Sequence, residues 1–377
     1  MVARNRSQVP PALASRPAIA ARTRSGKIAR FRELLSSPPS RMSAADAKPP
    51  AEAYRAPRWL PGGHAQTIHA ASWAKRPLVT YWRDRWETPD FDFIDLDWVE
   101  SSAGAVELKL NQTDDAPLVV LFHGLEGDSS SQYAVGLMHA VAARGWRGVV
   151  VHFRGCGGEI NRLPRAYHSG DSAEIDWILR RFRSTRAGPI YVAGVSLGGN
   201  ALLKWLGEQG ERANSVVTRA ASVCAPVDLP ACAIALAHGF NLIYTRRFLT
   251  TLKAKATAKM KRYPALCDRS RMLAARTLYE FDDLVTAPLH GFKGVDDYYT
   301  RSSSKPFLKT IVTPTLVLNA RNDPFLPERF LPTPQEVSAN VTLELPATGG
   351  HVGFVSGGFP GNIEWLPQRL LRFFSMG

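Results

Sequence analysis

Short apolar runs alternate with amphipathic stretches along most of this chain. Leu118–Phe122 reads LVVLF, the pattern of a strand buried on both faces. Gly148–Phe153 and Ile190–Ala193 repeat it. Between these runs the period becomes helical. Ser129–Arg144 starts among serines and stops before Gly145. Asp171–Arg183 puts Ile175, Ile178, Leu179 and Phe182 on one face, with Asp171 and Glu174 at capping-box spacing. Leu197–Glu208 reads as the next helix. Ala220–Cys224, Thr315–Leu318 and Val341–Leu345 complete the strands, and Ile363–Phe374 is a closing helix. Strands alternating with helices predict an α/β fold with a mostly parallel sheet and helices on both faces. Phe91–Val99 and Val106–Leu110 alternate with period two, which predicts an antiparallel N-terminal hairpin at one edge, turning at Ser101–Gly104. A phase slip at Phe93–Ile94 predicts a bulge.

The alternation breaks between residues 227 and 311. This stretch is helix-like, without a strand pattern, and too long for a loop, so it reads as a lid inserted into the domain. Within it, Thr245–Arg262 carries Phe248, Leu252, Ala256 and Met260 at four-residue spacing. Seven basic residues, Arg246, Arg247, Lys253, Lys255, Lys259, Lys261 and Arg262, lie beside them with no acid. Two readings stand: a solvated helix face, or peripheral contact with an anionic membrane.

Composition changes this picture only at the N-terminus. The chain has 377 residues, 47 Lys+Arg and 33 Asp+Glu, for a net charge of +14. Nine of the basic residues and a single acid, Glu33, fall within residues 1–41. Residues 1–50 read as a disordered basic tail. Its Arg- and Ser-rich, acid-poor character is that of a transit peptide or, with Met42 as the alternative start, of an over-extended gene. Residues 51–377 form an α/β domain of ordinary size, and no nucleic-acid motif accompanies the charge. No run of about 18 apolar residues is present, so no transmembrane helix is expected. Cys156, Cys224, Cys232 and Cys267 show neither disulfide nor zinc spacing and read as thiols of a reducing, cytoplasmic compartment. Nothing suggests a metal or an organic cofactor.

The chemistry begins at Gly194-Val195-Ser196-Leu197-Gly198. A buried strand runs into it and a helix leaves it, which is the context of a nucleophile elbow. Ser196 is then exposed above the sheet at a helix N-terminus. A serine needs a base, and the chain order for this fold is serine, acid, histidine. Asp323 follows the strand Thr315–Leu318, and His351 follows the last strand. Asp228 competes for the role of acid; His123, His168 and His290 are other histidines, none of them after the last strand. Leu118–Phe122 runs into His123-Gly124-Leu125-Glu126-Gly127, a glycine-rich exit suited to an oxyanion hole. The backbone N–H groups of Leu125 and Leu197 are the candidate donors.

With these segments in view, the chain resembles the AB hydrolase-4 family, the YheT-like branch of the α/β hydrolases. The matching motifs run in order: Gly63-His64-Ala65-Gln66-Thr67-Ile68, the HGLEG loop, His152 to Glu159, Tyr167 to Asp171, GVSLGGN, Phe281-Asp282, Asp297-Tyr298-Tyr299, Asn322 to Phe325, and Gly349 to Phe354. They span about residues 55–375. The resemblance implies a serine esterase acting on short-chain esters, medium-chain esters or acylglycerols, with Ser196, Asp323 and His351 as its triad. His152 departs from the asparagine expected there. The GHAQTI motif has no chemistry of its own and reads as a structural turn under the sheet. Two other functions fit the same scaffold: an acyltransferase using the same acyl-enzyme, and a catalytically silent binding protein.

Overall fold

The computed structural model describes residues 54–100 and 115–376. The basic tail, the Ser101–Gly104 turn and the Val106–Leu110 strand expected from the sequence lie outside the described residues. Helix α1, Gly63–Ser72, precedes the sheet. The strands are β1 Tyr81–Glu87, β2 Phe93–Val99, β3 Leu118–Phe122, β4 Arg147–His152, β5 Ile190–Val195, β6 Arg219–Val223, β7 Thr315–Leu318 and β8 Val341–Glu344. They form one sheet in the order β1-β2-β4-β3-β5-β6-β7-β8. Every neighbour from β4 to β8 is parallel; β2 is antiparallel to both β1 and β4.

The edge differs from expectation in two ways. The hairpin partner of β2 is the preceding strand, β1. That strand reads YWRDRWE, too charged to declare itself by hydrophobic period. The register runs unbroken from Glu87↔Phe93 to Tyr81↔Val99, so there is no bulge. The phase slip has a different cause. Asp95 and Asp97 are buried on the face shared with Phe93, where Arg85 and Arg83 clamp them at 2.7 Å. The Arg85 guanidinium lies 3.8 Å from the Phe93 ring centre, so an apolar side chain belongs on that charged face.

The buried runs of β3 to β6 divide the core into two layers. Val120 and Phe122 point to a layer built with α3, Ser172–Ser184, and α4, Leu197–Gln209. Val119 and Leu121 point to the opposite layer, built with α2, Gln132–Ala142, and the C-terminal helix Trp365–Phe374. The capping box expected at the start of α3 does not form, because its carboxylates are taken. Arg165 holds Asp171 at 2.7 Å, and Arg154 holds Glu174 at 2.7 Å.

The chain passes from β3 to β4 on one side and returns across β3 to β5 on the other. That reversal opens a crevice at the C-terminal strand ends, where open α/β sheets place their sites. Between β6 and β7 the described chain is helical: α5 Leu229–Leu236, α6 Leu242–Met260, α7 Arg269–Ala274, α8 Leu278–Phe281, a π-helical turn Asp282–Thr286, α9 Ala287–Leu289 and α10 Val295–Ser302. Among the described residues no helix is long and apolar enough to cross a membrane.

Candidate active site

Strand β5 delivers Ser196 in a backbone conformation unusual for any residue but glycine, with φ 52° and ψ −119°. The turn survives because its surroundings have no room for side chains. A Cβ on Gly194 would stand 2.6 Å from the Gly198 carbonyl oxygen, and one on Gly198 would stand 2.5 Å from the Phe122 oxygen. The Ser196 N–H is anchored on the Val223 carbonyl of β6 at 2.8 Å.

Two loops from the far strands meet this serine. His351 Nε2 lies 3.0 Å from Ser196 Oγ, and His351 Nδ1 lies 2.9 Å from Asp323 Oδ2. Asp323 is an acceptor at this contact, so Nδ1 carries the proton and Nε2 is free to accept from the serine hydroxyl. The other Asp323 oxygen accepts the Phe325 N–H at 2.8 Å. The Phe325 ring stacks on the imidazole at a centroid distance of 3.9 Å.

The competing residues are occupied elsewhere. Asp228 caps α5 by accepting the Ala231 N–H. His123 is fully buried, donating from Nδ1 to the Gly124 carbonyl and accepting the Phe153 N–H at Nε2; burial pulls its pKa down to about 3 and keeps it neutral. His168 and His290 pack on each other, and burial lowers them to about 4 and about 3.

The HGLEG loop is braced by two tyrosines. Tyr133 Oη accepts the Gly124 N–H, and Tyr167 Oη accepts the Glu126 N–H, both at 2.9 Å. Between them, the Leu125 N–H has no acceptor among the described residues, and neither has the Leu197 N–H at the start of α4. The expected oxyanion donors are therefore both unpaired.

The GHAQTI motif is not a turn under the sheet. It forms α1, and it ties the acid loop to the histidine loop. Gln66 Oε1 accepts from Asn322 Nδ2 and from the Gly349 N–H, each at 2.9 Å. Thr67 Oγ1 accepts the His351 N–H at 2.8 Å while donating to the Gly63 carbonyl at 2.7 Å. The motif opens with glycine because a Cβ on Gly63 would stand 2.0 Å from the Asn322 carbonyl oxygen. Gln66, Thr67 and Phe325 are site residues that the reading of the chain did not identify. Their only signal was membership of recurrent motifs.

Cys224 Sγ, Asp323 and His351 place ligating atoms within 4.8 Å of one another. Burial and then the neighbouring Asp323 charge push the Cys224 thiol well up, and its sulfur accepts the Val352 N–H. A protonated thiol packed behind an engaged Asp–His pair is the backing of that pair, and its chemistry does not suit a metal.

A cavity of about 140 Å³ opens beside Ser196 and Leu197, walled by Leu236, Phe248, Leu252 and Leu278. The apolar stripe of α6 faces this cavity. The seven basic residues of Thr245–Arg262 divide: Lys255 pairs with Glu126 at 2.8 Å, Lys253 donates to the carbonyls of Leu273 and Ala275, Lys259 is buried, and Arg246, Arg247, Lys261 and Arg262 remain exposed.

A family model described as the alpha/beta hydrolase fold matches residues 117–358. The chain is also 39% identical over 310 residues to YheT of Escherichia coli (strain K12), whose name classes it with esterases; the match covers 81% of this chain and 88% of that one. The chain belongs to the YheT-like family of α/β hydrolases. Further relatives of this hydrolase include the Mus musculus protein named phospholipase ABHD3, 30% identical over 85% of this chain and 78% of its own. A Saccharomyces cerevisiae protein named monoacylglycerol lipase is 29% identical over 71% of this chain and 61% of its own.

Proposed function

We propose that this α/β hydrolase is a serine carboxylic ester hydrolase working through an acyl-enzyme. The observation that carries the reading is the continuous chain Ser196 Oγ, His351 Nε2, His351 Nδ1, Asp323 Oδ2, with links of 3.0 and 2.9 Å, at the wall of an apolar cavity. In this reading His351 takes the serine proton as Oγ attacks the ester carbonyl, then returns it to the departing alcohol. Asp323 holds the imidazole tautomer and stabilises the imidazolium. The oxyanion of the tetrahedral intermediate is met by the N–H groups of Leu125 and Leu197; removing one such donor typically costs ~10²–10³ in turnover. A water then attacks the acyl-enzyme, with His351 as base, and releases the acid. Residues 227–311 serve as the lid, and their apolar side chains receive short or medium acyl chains. Relatives named esterase, phospholipase and monoacylglycerol lipase support the ester class.

The test is labelling by a fluorophosphonate probe together with hydrolysis of esters of increasing chain length. Wild type is expected to label and turn over, and Ser196→Ala to do neither. Ser196→Ala protein that keeps wild-type turnover would remove the assignment.

A further inference from the structure

Most charges that reach the cavity are already matched. Lys259 donates to the carbonyls of Leu163, Pro164 and Arg165. Lys255 is engaged by Glu126 and Cys156. Arg154 is held by Asp90, Asp92 and Glu174. Asp282 is different. It opens the π-helical turn Asp282–Thr286 and lines the cavity together with Phe281, Val285 and Tyr299. Its Oδ1 accepts the Thr286 hydroxyl at 2.5 Å and its Oδ2 accepts the Tyr299 hydroxyl at 2.8 Å. Both donors are neutral, and no Lys, Arg or His among the described residues forms an ion pair with it. Burial outweighs these two hydrogen bonds and pushes the carboxyl up to about 6.

A carboxylate oxygen has two lone-pair sites, so each Asp282 oxygen keeps one acceptor position beyond its internal partner. An acceptor set into an apolar wall is unfavourable unless something completes it. Single π turns recur at functional positions. Tyr299 and Asp282 also belong to two motifs of the chain, DYY and FD, that the Ser196 chemistry does not use.

We propose that Asp282 is the specificity-determining residue of the cavity, accepting a free hydroxyl of a polyhydric alcohol ester. This rests on the ester-hydrolase reading above. An unsubstituted acyl chain carries no hydrogen-bond donor, so in such a substrate only the alcohol portion can supply one. Both groups that already donate to Asp282 are neutral hydroxyls, and a further neutral hydroxyl matches the acceptor positions they leave. The acyl chain takes the apolar wall of Leu236, Phe248 and Leu252.

The experiment compares a 1-monoacylglycerol with the propyl ester of the same acid, which differs only by the two hydroxyls. Wild type is expected to prefer the glyceryl ester by about tenfold or more in kcat/KM, the scale for a hydrogen bond to a charged acceptor. In Asp282→Leu, and in Asp282→Ala as a second variant should the first fail to melt cooperatively, no side-chain acceptor remains and the ratio is expected to collapse toward one. A wild-type ratio near one overturns the proposal. So does a preference that survives in a folded variant, or an equal loss on both esters, which is the mark of a purely structural side chain. Ser196→Ala separates the two levels: activity that depends on Ser196 but shows no preference removes the Asp282 proposal alone, whereas activity independent of Ser196 removes the reading beneath it.

Discussion

Thr67 gives the sharpest prediction, because it lies outside the cavity wall and yet holds His351, the proposed base. Its hydroxyl accepts the His351 N–H at 2.8 Å, and it is buried. Thr67→Val keeps the shape of the side chain and removes the acceptor. The His351 N–H is then left without a partner, a cost of about 1–3 kcal/mol. The histidine loop is expected to relieve that cost by shifting, which takes Nε2 out of line with Ser196 Oγ. If the whole cost appears in the transition state, kcat/KM falls by about 5- to 150-fold. Thr67 is not part of the cavity wall, so the loss belongs in kcat, with KM little changed. Thr67→Ser restores the hydroxyl and is expected to restore turnover. Steady-state hydrolysis of a chromogenic short-chain ester, paired with the fluorophosphonate labelling rate, measures both effects. Thr67→Val with a lowered melting temperature but wild-type kcat would refute the reasoning: α1 would then stabilise the fold without positioning the base.

Two further outcomes follow from the same geometry. Asp323→Asn is expected to lower kcat by about 10⁴, the loss typical when the orienting carboxylate of such a triad becomes an amide; Asp228→Asn, at a helix cap, is expected to leave turnover near wild type, and steady-state kinetics on the pair that showed the reverse order would exchange their roles. The second outcome concerns acid. Burial raises the Asp97 carboxyl, but hydrogen bonds from Arg83, His152 and Ser129 outweigh it and hold the group below the ordinary range. Asp90, with burial likewise outweighed by Arg154 and Thr88, lies at about 2. Between pH 2 and about 4 the unfolded chain therefore binds more protons than the folded one, so the stability these groups contribute is complete above about pH 4 and is lost as the pH falls through that window. Urea midpoints measured from pH 7 down to 2.5 are expected to start falling below about pH 6.5, where the unfolded chain protonates His123, His168 and His290 and the folded one does not. The further fall between about pH 4 and 2.5 is expected to be less steep in Arg83→Met, and equal slopes there in the two proteins would mean that Asp97 is not the group responsible.

Much of the fold was legible because burial leaves a local trace. LVVLF and the run into Val195 announce strands covered on both faces, and the helices between them show their period directly. The edge was harder to read. There Asp95 and Asp97 sit in the protein interior with arginine partners from β1, so polarity no longer reports exposure. The capping box at α3 failed for the same kind of reason: a distant arginine outcompeted a local bond.

The candidate site divides along the same line. Sequence by itself determined the positions of Ser196, Asp323 and His351, because each stands directly after a recognisable strand and the order of the three is set by the chain. It also determined the elbow, whose glycines are demanded by sterics within a few residues and against the neighbouring strand. Only the tertiary structure decided how these loops are held. Gln66 meets Asn322 and Gly349 across separations of 256 and 283 residues, and Thr67 reaches His351 across 284. The same holds for the Asp282 carboxyl, whose partner Tyr299 and cavity face come from the packing of two helical segments. A period or a turn is written by neighbours in the chain, whereas a hydrogen bond between distant segments depends on where the whole sheet brings them. That is why the residues of the proposed triad could be picked out in the sequence and their supports could not.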